Sequence, residues 1–278
     1  MPSKTWFITG TSRGFGREWT IAALERGDRV AATARDRATL DDLVAEHGDD
    51  LFPLALDVTD REAVFAALRQ AHERFDRLDV VVNNAGYGQF GMVEELSEAE
   101  ARAQIETNLF GALWVTQAAL PYLREQGSGH FLQVSSIGGI SAFAGIGMYH
   151  ASKWALEGIS QSLALEVAGF GIKVTLIEPG GYATDWGGSS ARHTTELPAY
   201  AAAREQAQQA RARRTASPGD PAATGAAVLE LVDADEPPLR VLLGDGPLAV
   251  ATADYESRLA TWRKWQPVSV AAGGTRPA

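Results

Sequence analysis

The stretch Thr5-Trp6-Phe7-Ile8-Thr9-Gly10-Thr11-Ser12-Arg13-Gly14-Phe15-Gly16 decides the fold. Its first five residues form a short apolar run that reads as a buried strand. Gly10 to Gly16 spell G-x-x-x-G-x-G, and a helical pattern follows from Arg17 to Arg26. A strand, a glycine-rich turn and a helix in succession set an anion at a helix N-terminus, where backbone N–H groups lack intrahelical partners. Glycine permits the tight turn and lets the backbone approach a phosphate closely. The spacing departs from the G-x-G-x-x-G fingerprint of dinucleotide turns. The weight therefore falls on the strand-to-helix context, and the plain alternative is a tight turn with no ligand.

Moving outward, strands and helices alternate along the chain. Strands are predicted at Asp28–Thr33, Leu51–Leu56, Leu78–Val82, His130–Val134, Ile172–Ile177 and Leu239–Leu243. Helices are predicted at Ala38–His47, Asp60–Phe75, Glu98–Arg124, Trp154–Ala168, Ala199–Arg214, Asp220–Val232 and Val250–Trp265, with a loose tail from Pro267. Such alternation indicates a parallel sheet covered on both faces. No repeat or linker interrupts it, so one domain spanning residues 1–278 is expected. The periodicity loosens from Asp185 to Pro218, and this segment reads as a mobile cover over a substrate, with Trp186-Gly187-Gly188-Ser189-Ser190 as its hinge. Arg211, Arg213 and Arg214 within it read as a solvated helix face rather than a phosphate site.

In an open α/β sheet, ligands sit beyond the carboxyl ends of the strands. The second strand ends in Thr33-Ala34-Arg35, followed by Asp36. Arg35 can pair with a ribose 2′-phosphate, and Arg13 in the glycine turn supplies a second cation, so the pair points to NADP(H). The alternative is NAD(H), with Asp36 on the ribose. The third strand delivers Asp57-Val58-Thr59, whose acid either meets an adenine amino group or caps the next helix. Asn83-Asn84-Ala85-Gly86 closes the fourth strand with small and amide residues suited to the same crevice. Asn108 interrupts a long helix, where it either bends the helix and binds a water or satisfies a buried neighbour.

Ser135-Ser136 precede Tyr149-His150-Ala151-Ser152-Lys153. The helical spacing around Tyr149 puts Lys153 at i+4 on the same face. A neighbouring ammonium favours a phenolate, which is expected to lower Tyr149 from about 10. A phenol so tuned exchanges a proton with an alcohol or ketone, and Ser136 can reach the same oxygen. Phe90, Ile137, Phe143, Met148, Tyr182 and Trp186 are candidates for an apolar substrate wall.

Composition narrows the classes. Acidic residues outnumber basic ones by 35 to 25, for a net charge of -10, which disfavours a nucleic-acid surface. The absence of cysteine removes thiolate and disulfide chemistry, and the five scattered histidines form no metal-ligand spacing. No apolar stretch approaches the roughly 20 residues that span a bilayer. Met1-Pro2-Ser3-Lys4 carries no signal-peptide pattern. A soluble, cytoplasmic protein without metal, membrane or nucleic-acid partner is the expectation.

Taken together, Thr9-Gly10-x-x-x-Gly14-x-Gly16, Asn83-Asn84-Ala85-Gly86, Asn108, Ser136, Tyr149-x-x-x-Lys153 and Pro179-Gly180 resemble the short-chain dehydrogenase/reductase family. The match covers roughly residues 5 to 245. The resemblance implies an α/β fold: a three-layer, Rossmann-type, doubly wound parallel sheet of seven strands in a single domain. It implies homodimers or homotetramers built through the two long helices. It implies that Tyr149 is the acid/base, that Lys153 lowers its pKa and binds the nicotinamide ribose, that Ser136 orients the substrate oxygen, and that Asn108 holds a relay water. The turn Gly10, Thr11, Ser12, Arg13, Gly14, Phe15 and Gly16 would cradle the pyrophosphate. Arg35 resembles the basic residue of NADP-preferring members. Asp57 and Val58 would meet adenine, and Asn84, Ala85 and Gly86 the adenosine side. Pro179 and Gly180 would meet the nicotinamide, with Thr184, set off by Gly181-Tyr182-Ala183, as the counterpart of the threonine that often follows Pro-Gly. The expected reaction is hydride transfer between NADP(H) and an apolar carbonyl or secondary alcohol. The rival is a non-catalytic NADP(H)-binding sensor or scaffold, against which the intact Ser136, Tyr149 and Lys153 count.

Overall fold

Thr5–Thr9 forms strand β1, and all five of its residues are buried. Side chains alternate across it: Phe7 enters one apolar layer, while Trp6 and Ile8 enter the other. That division is what a central strand covered on both faces requires. A computed structural model describes residues 3–274 of the chain. The turn after β1 leads into helix α1 (Gly14–Glu25), then β2 (Arg29–Ala34), α2 (Asp41–His47), β3 (Leu51–Ala55), α3 (Arg61–Phe75) and β4 (Val80–Asn83). A two-residue strand β5 (Gln89–Phe90) precedes α4 (Glu98–Ile105) and α5 (Gly111–Gln126). The second half runs β6 (Gly129–Val134), α6 (Gly147–Val167), β7 (Ile172–Pro179), β8 (Arg192–His193), α7 (Ala201–Arg214), α8 (Thr224–Asp233), β9 (Arg240–Leu243) and α9 (Pro247–Ala272).

Seven strands make one sheet in the order β3-β2-β1-β4-β6-β7-β9, and every pairing is parallel. The chain reverses its winding between β1 and β4, which opens a crevice at their carboxyl ends. Phe7, Val81 and Phe131 face α3 and α5, packing on Val64, Leu68, Val115 and Leu123. Ile8, Val82 and Leu132 face the other way, toward Trp19, Ala23 and Val228 of α1 and α8. This is a single-domain α/β Rossmann-type fold. Pro53 lies in β3, the sheet's edge strand, where a missing N–H is tolerated.

The structure departs from or adds to the sequence reading at four points. The long helix predicted from Glu98 is divided by a π-type turn at Glu106–Phe110, centred on Asn108. The terminal helix continues through Pro267 to Ala272, so the predicted loose tail is helical there; residues 275–278 lie outside the described part. This stretch is exposed, and water can take the carbonyl that Pro267 leaves unpaired. Asp57 does not cap α3. Asp60 does, accepting from Ala63 N at 3.0 Å, while Asp57 closes its own turn on Thr59 N at 3.0 Å. Finally, a parallel pair, β5 with β8, ties residues 192–193 to residues 89–90. A two-residue strand has no periodicity to read.

Among the described residues, no helix is long and apolar enough to cross a membrane.

Candidate active site

The carboxyl ends of β1, β2, β4, β6 and β7 open into one cavity of about 1490 Å³, larger than the roughly 300–1,000 Å³ of a typical small-ligand pocket. Gly10, Ser12, Arg13, Gly14 and Phe15 line one end of it, and Ser136, Tyr149, Lys153, Pro179 and Gly180 the other. Arg35, Asp57, Val58, Asn84, Ala85, Gly86 and Thr184 complete the predicted residues that face it.

Two predicted cofactor contacts do not line the cavity. Thr11 is fully buried and donates to Thr33 O at 3.1 Å, tying the turn to β2. Gly16 is an element of packing: a Cβ there would lie 2.4 Å from Gly10 O and 2.5 Å from Asn84 Nδ2. Asn84 Nδ2 itself donates to Thr9 O and Gly10 O at 2.9 and 3.0 Å and so braces the turn. Gly10 and Gly14 have φ of +70° and +59°, which L side chains adopt with strain. Arg13 occupies the N-cap of α1 without capping it by its side chain, which leaves the first-turn N–H groups directed at the cavity. A backbone cradle of this kind fits a pyrophosphate.

Arg35 is exposed at the end of β2, and among the described residues it forms no salt bridge. Asp36, the rival for a ribose hydroxyl, accepts from Ala38 N at 3.0 Å. Arg13 turns away from Arg35, donating to Asp185 Oδ2 at 2.5 Å and Ser189 Oγ at 2.9 Å. The expected second cation for a 2′-phosphate is thus engaged with the segment over the cavity.

At the other end, α6 presents Tyr149 and Lys153 on one face, both buried. Lys153 Nζ donates to Val134 O at 2.7 Å and lies 5.8 Å from the centre of the Tyr149 ring. Gly86 packs on Asn108, whose Oδ1 a Cβ there would meet at 3.1 Å. Ser136, at the end of β6, accepts from Gly138 N at 3.0 Å. Burial pushes the Tyr149 phenol up to about 12, and the nearby Ser136 hydroxyl offsets only part of the rise. The phenol thus sits above its ordinary value rather than below it as expected: desolvation raises it, and the group that opposes the rise is Ser136, not Lys153. Burial also pushes Lys153 down to about 8, opposed by Glu157. At neutral pH the phenol is a protonated donor.

Asn108 lies outside the cavity lining and is 1% exposed. Its Nδ2 donates to Tyr87 O at 3.0 Å and Ser152 Oγ at 3.1 Å, and its Oδ1 accepts from Tyr87 N at 3.1 Å. It joins the π-type turn to α6 and to the loop after β4 that carries Gly86 and Tyr87.

The apolar wall is drawn from Phe90, Ile137, Phe143, Tyr182 and Trp186; Met148 does not line it, and Met92 does. Trp186 lies 4.9 Å from Tyr149, ring centre to ring centre. Gly88 admits it, because a Cβ there would meet the indole at 2.7 Å. Tyr182 packs edge-on to Phe15 at 5.0 Å and so belongs to the glycine-turn side. Sequence reasoning missed the basic groups of this wall: Arg192, Arg204, Arg211 and Arg214 all line the cavity. The i, i+3 spacing of Arg211 and Arg214 was the available signal, since it puts both on one helix face.

The sequence pattern of the short chain dehydrogenases matches residues 4–195, more than half of the chain. The chain belongs to the short-chain dehydrogenase/reductase family. This family assignment makes it an oxidoreductase. Oxidoreductase BOA17 of Botryotinia fuckeliana is 44% identical over 97% of this chain and 99% of its own length. A short-chain dehydrogenase of known crystal structure from Streptomyces avermitilis is 42% identical, with a TM-score of 0.91 over 97% of this chain and 98% of its own. An alcohol dehydrogenase from the archaeon Thermococcus sibiricus, solved with 5-hydroxy-NADP, is 29% identical with a TM-score of 0.73, covering 87% of this chain and 96% of its own.

Proposed function

We propose that this short-chain dehydrogenase/reductase is an NADPH-dependent carbonyl reductase in which Tyr149 gives the proton. The observation that carries the reading is the protonated, buried phenol of Tyr149 facing the same cavity as the glycine cradle. Gly10, Ser12 and Gly14 would hold the pyrophosphate, Arg35 the 2′-phosphate, Asp57 and Val58 the adenine. Lys153, Pro179 and Gly180 would hold the nicotinamide end. When bound, NADPH supplies a hydride for the carbonyl carbon.

The residues of the chain do the rest. Ser136 and Tyr149 orient the carbonyl oxygen, and Tyr149 Oη delivers its proton there as the oxygen gains charge. The product is a secondary or primary alcohol, and the tyrosinate is left to be reprotonated. Lys153, with its value near 8, carries a positive charge at neutral pH and steadies that tyrosinate. Asn108 positions Ser152 and the loop at Tyr87 around Lys153. Segment 185–218 covers the substrate. NADP(H) is favoured over NAD(H) by the unpaired Arg35, by the engagement of Asp36, and by the NADP analogue in the archaeal relative.

A homodimer or homotetramer through α5 and α6 is part of this reading, because Trp154, Ile159 and Leu165 stand exposed on α6. A cytoplasmic location is proposed with it.

A screen of NADPH oxidation over ketones and aldehydes tests the function. At least one carbonyl should drive oxidation in the wild type and not in Tyr149→Phe. Tight NADPH binding with no turnover of any carbonyl would instead mark a sensor or scaffold.

A further inference from the structure

Helix α7 lies over the cavity and sends two guanidinium groups into its aromatic wall. Arg211 stacks over Phe90 at 4.4 Å and over Trp186 at 5.4 Å. Arg214 stacks over Phe143 at 4.1 Å. Trp186 in turn packs against Tyr149, and Phe143 N donates to Nε2 of His150, the neighbour of Tyr149, at 2.8 Å. One aromatic ring separates Arg211 from Tyr149. Both arginines line the cavity at this end, whereas Arg35 lines it at the end of β2.

The backbone makes room for this arrangement. A Cβ at Gly187 would lie 2.1 Å from Arg211 Nη2, so any side chain there would displace the guanidinium. Two other arginines that line the cavity are neutralised, Arg13 by Asp185 and Arg204 by Glu95 and Glu196, whereas Arg192 stacks over Tyr87 at 4.7 Å and, among the described residues, forms no salt bridge. Among the described residues, Arg211 and Arg214 form no salt bridge, and their guanidinium groups donate no hydrogen bond to the protein. Each therefore keeps its forked set of N–H donors for a ligand. In a chain with ten more acidic than basic residues, leaving two adjacent cations unpaired against a cavity wall calls for an anion.

We propose that Arg211 and Arg214 bind an anionic group of the substrate, so that the carbonyl compound reduced at Tyr149 carries a carboxylate or a phosphate at its far end. The aromatic rings beneath the guanidinium groups fix their planes and take the apolar body between carbonyl and anion. The inference rests on the carbonyl-reductase reading and narrows its substrate class. It replaces the expectations of a solvated helix face and of a purely apolar substrate.

The test uses three probes of one shape: 4-acetylbenzoate, 4-acetylphenyl phosphate and methyl 4-acetylbenzoate. Their kcat/KM values with NADPH are compared in the wild type, in R211Q/R214Q and in R211K/R214K. The wild type should prefer an anionic probe to the ester by at least about tenfold, the scale of one charge-assisted contact. Whichever anion is preferred identifies carboxylate or phosphate. R211Q/R214Q should lose that preference through KM, and R211K/R214K should restore part of it. The single variant R214Q, changed at an exposed position, serves if the double variant does not fold. Equal use of anion and ester by the wild type, or a preference that survives in R211Q/R214Q, overturns the proposal.

Calorimetry of the same probes with the NADP⁺-loaded protein separates the two readings. If no probe is reduced but anion binding weakens at least about tenfold in R211Q/R214Q, the anion site stands, and the reductase reading is decided by the screen over ketones and aldehydes. If neither anion binds the wild type, the anion site falls, whatever the fate of the reductase reading.

Discussion

The two ends of the cavity are built from different materials. At the glycine turn, backbone and small side chains do the shaping: Gly16 against Gly10, Asn84 across both, Thr11 into β2. Over the aromatic end, charged side chains reach across more than a hundred residues of chain, as when Arg204 meets Glu95. A backbone site admits one geometry and one kind of ligand. A site held by long, solvent-touched side chains can change its ligand by exchanging a few residues. On the proposed reading, the shared chemistry lies along β1, β6 and α6, and selectivity in α7 and the segment before it.

Substitutions at each end sharpen this contrast, and the largest effect is expected where the two ends meet. Tyr149→Phe should cost about 10²- to 10⁴-fold in turnover, the usual worth of a positioned acid, while NADPH affinity measured by fluorescence titration stays within about twofold. A drop in affinity that matches the drop in turnover would assign Tyr149 to binding alone. Next, Arg35→Asp should move the NADPH-to-NADH ratio of kcat/KM by about 10- to 100-fold toward NADH, as expected for losing a charge-assisted phosphate contact. An unmoved ratio would take the 2′-phosphate away from β2.

At the backbone end, Gly16→Ala forces a methyl against Gly10 O and should destabilise the fold by about 1–3 kcal/mol, visible as a lowered Tm. Where the cover reaches across to the glycine turn, Arg13→Ala removes a half-exposed ion pair of side chains and should cost less than about 1 kcal/mol. If the arginine variant were the more damaging of the two, the contrast between the ends would be lost.

A pH experiment probes the layer beneath the site. Glu178 is buried beside Glu157, and desolvation together with that neighbour pushes its carboxyl up to about 8 from 4.5. The folded chain therefore holds this proton more tightly than the unfolded chain. The resulting stabilisation is full below pH 4.5 and is lost as pH rises toward 8. Glu178→Gln should flatten the dependence of Tm on pH across this window. An unchanged slope would show that Arg240, which lies 3.5 Å from Glu178, keeps the carboxylate charged.

The same contrast explains what could be read in advance. β1, its glycine turn and α1 were legible because apolar periodicity and φ requirements are properties of neighbouring residues. The face shared by Tyr149 and Lys153 followed from an i, i+4 spacing within one helix. The elevated Tyr149 was not legible, because burial depends on Trp186 and on the packing of β6, far away in sequence. The β5–β8 pair and the stacking of Arg211 on Phe90 were hidden for the same reason. A helix with three arginines in its last turn looks solvated until the opposing aromatic rings are known.

The most direct measurement follows a label. NADPH carrying deuterium at both C4 positions is incubated with a reducible carbonyl probe, and the alcohol formed is weighed by mass spectrometry. One deuterium at the carbinol carbon is expected with the wild type, with none formed above background by Tyr149→Phe. An alcohol without deuterium, or equal labelling by the two proteins, would contradict hydride transfer assisted by this phenol.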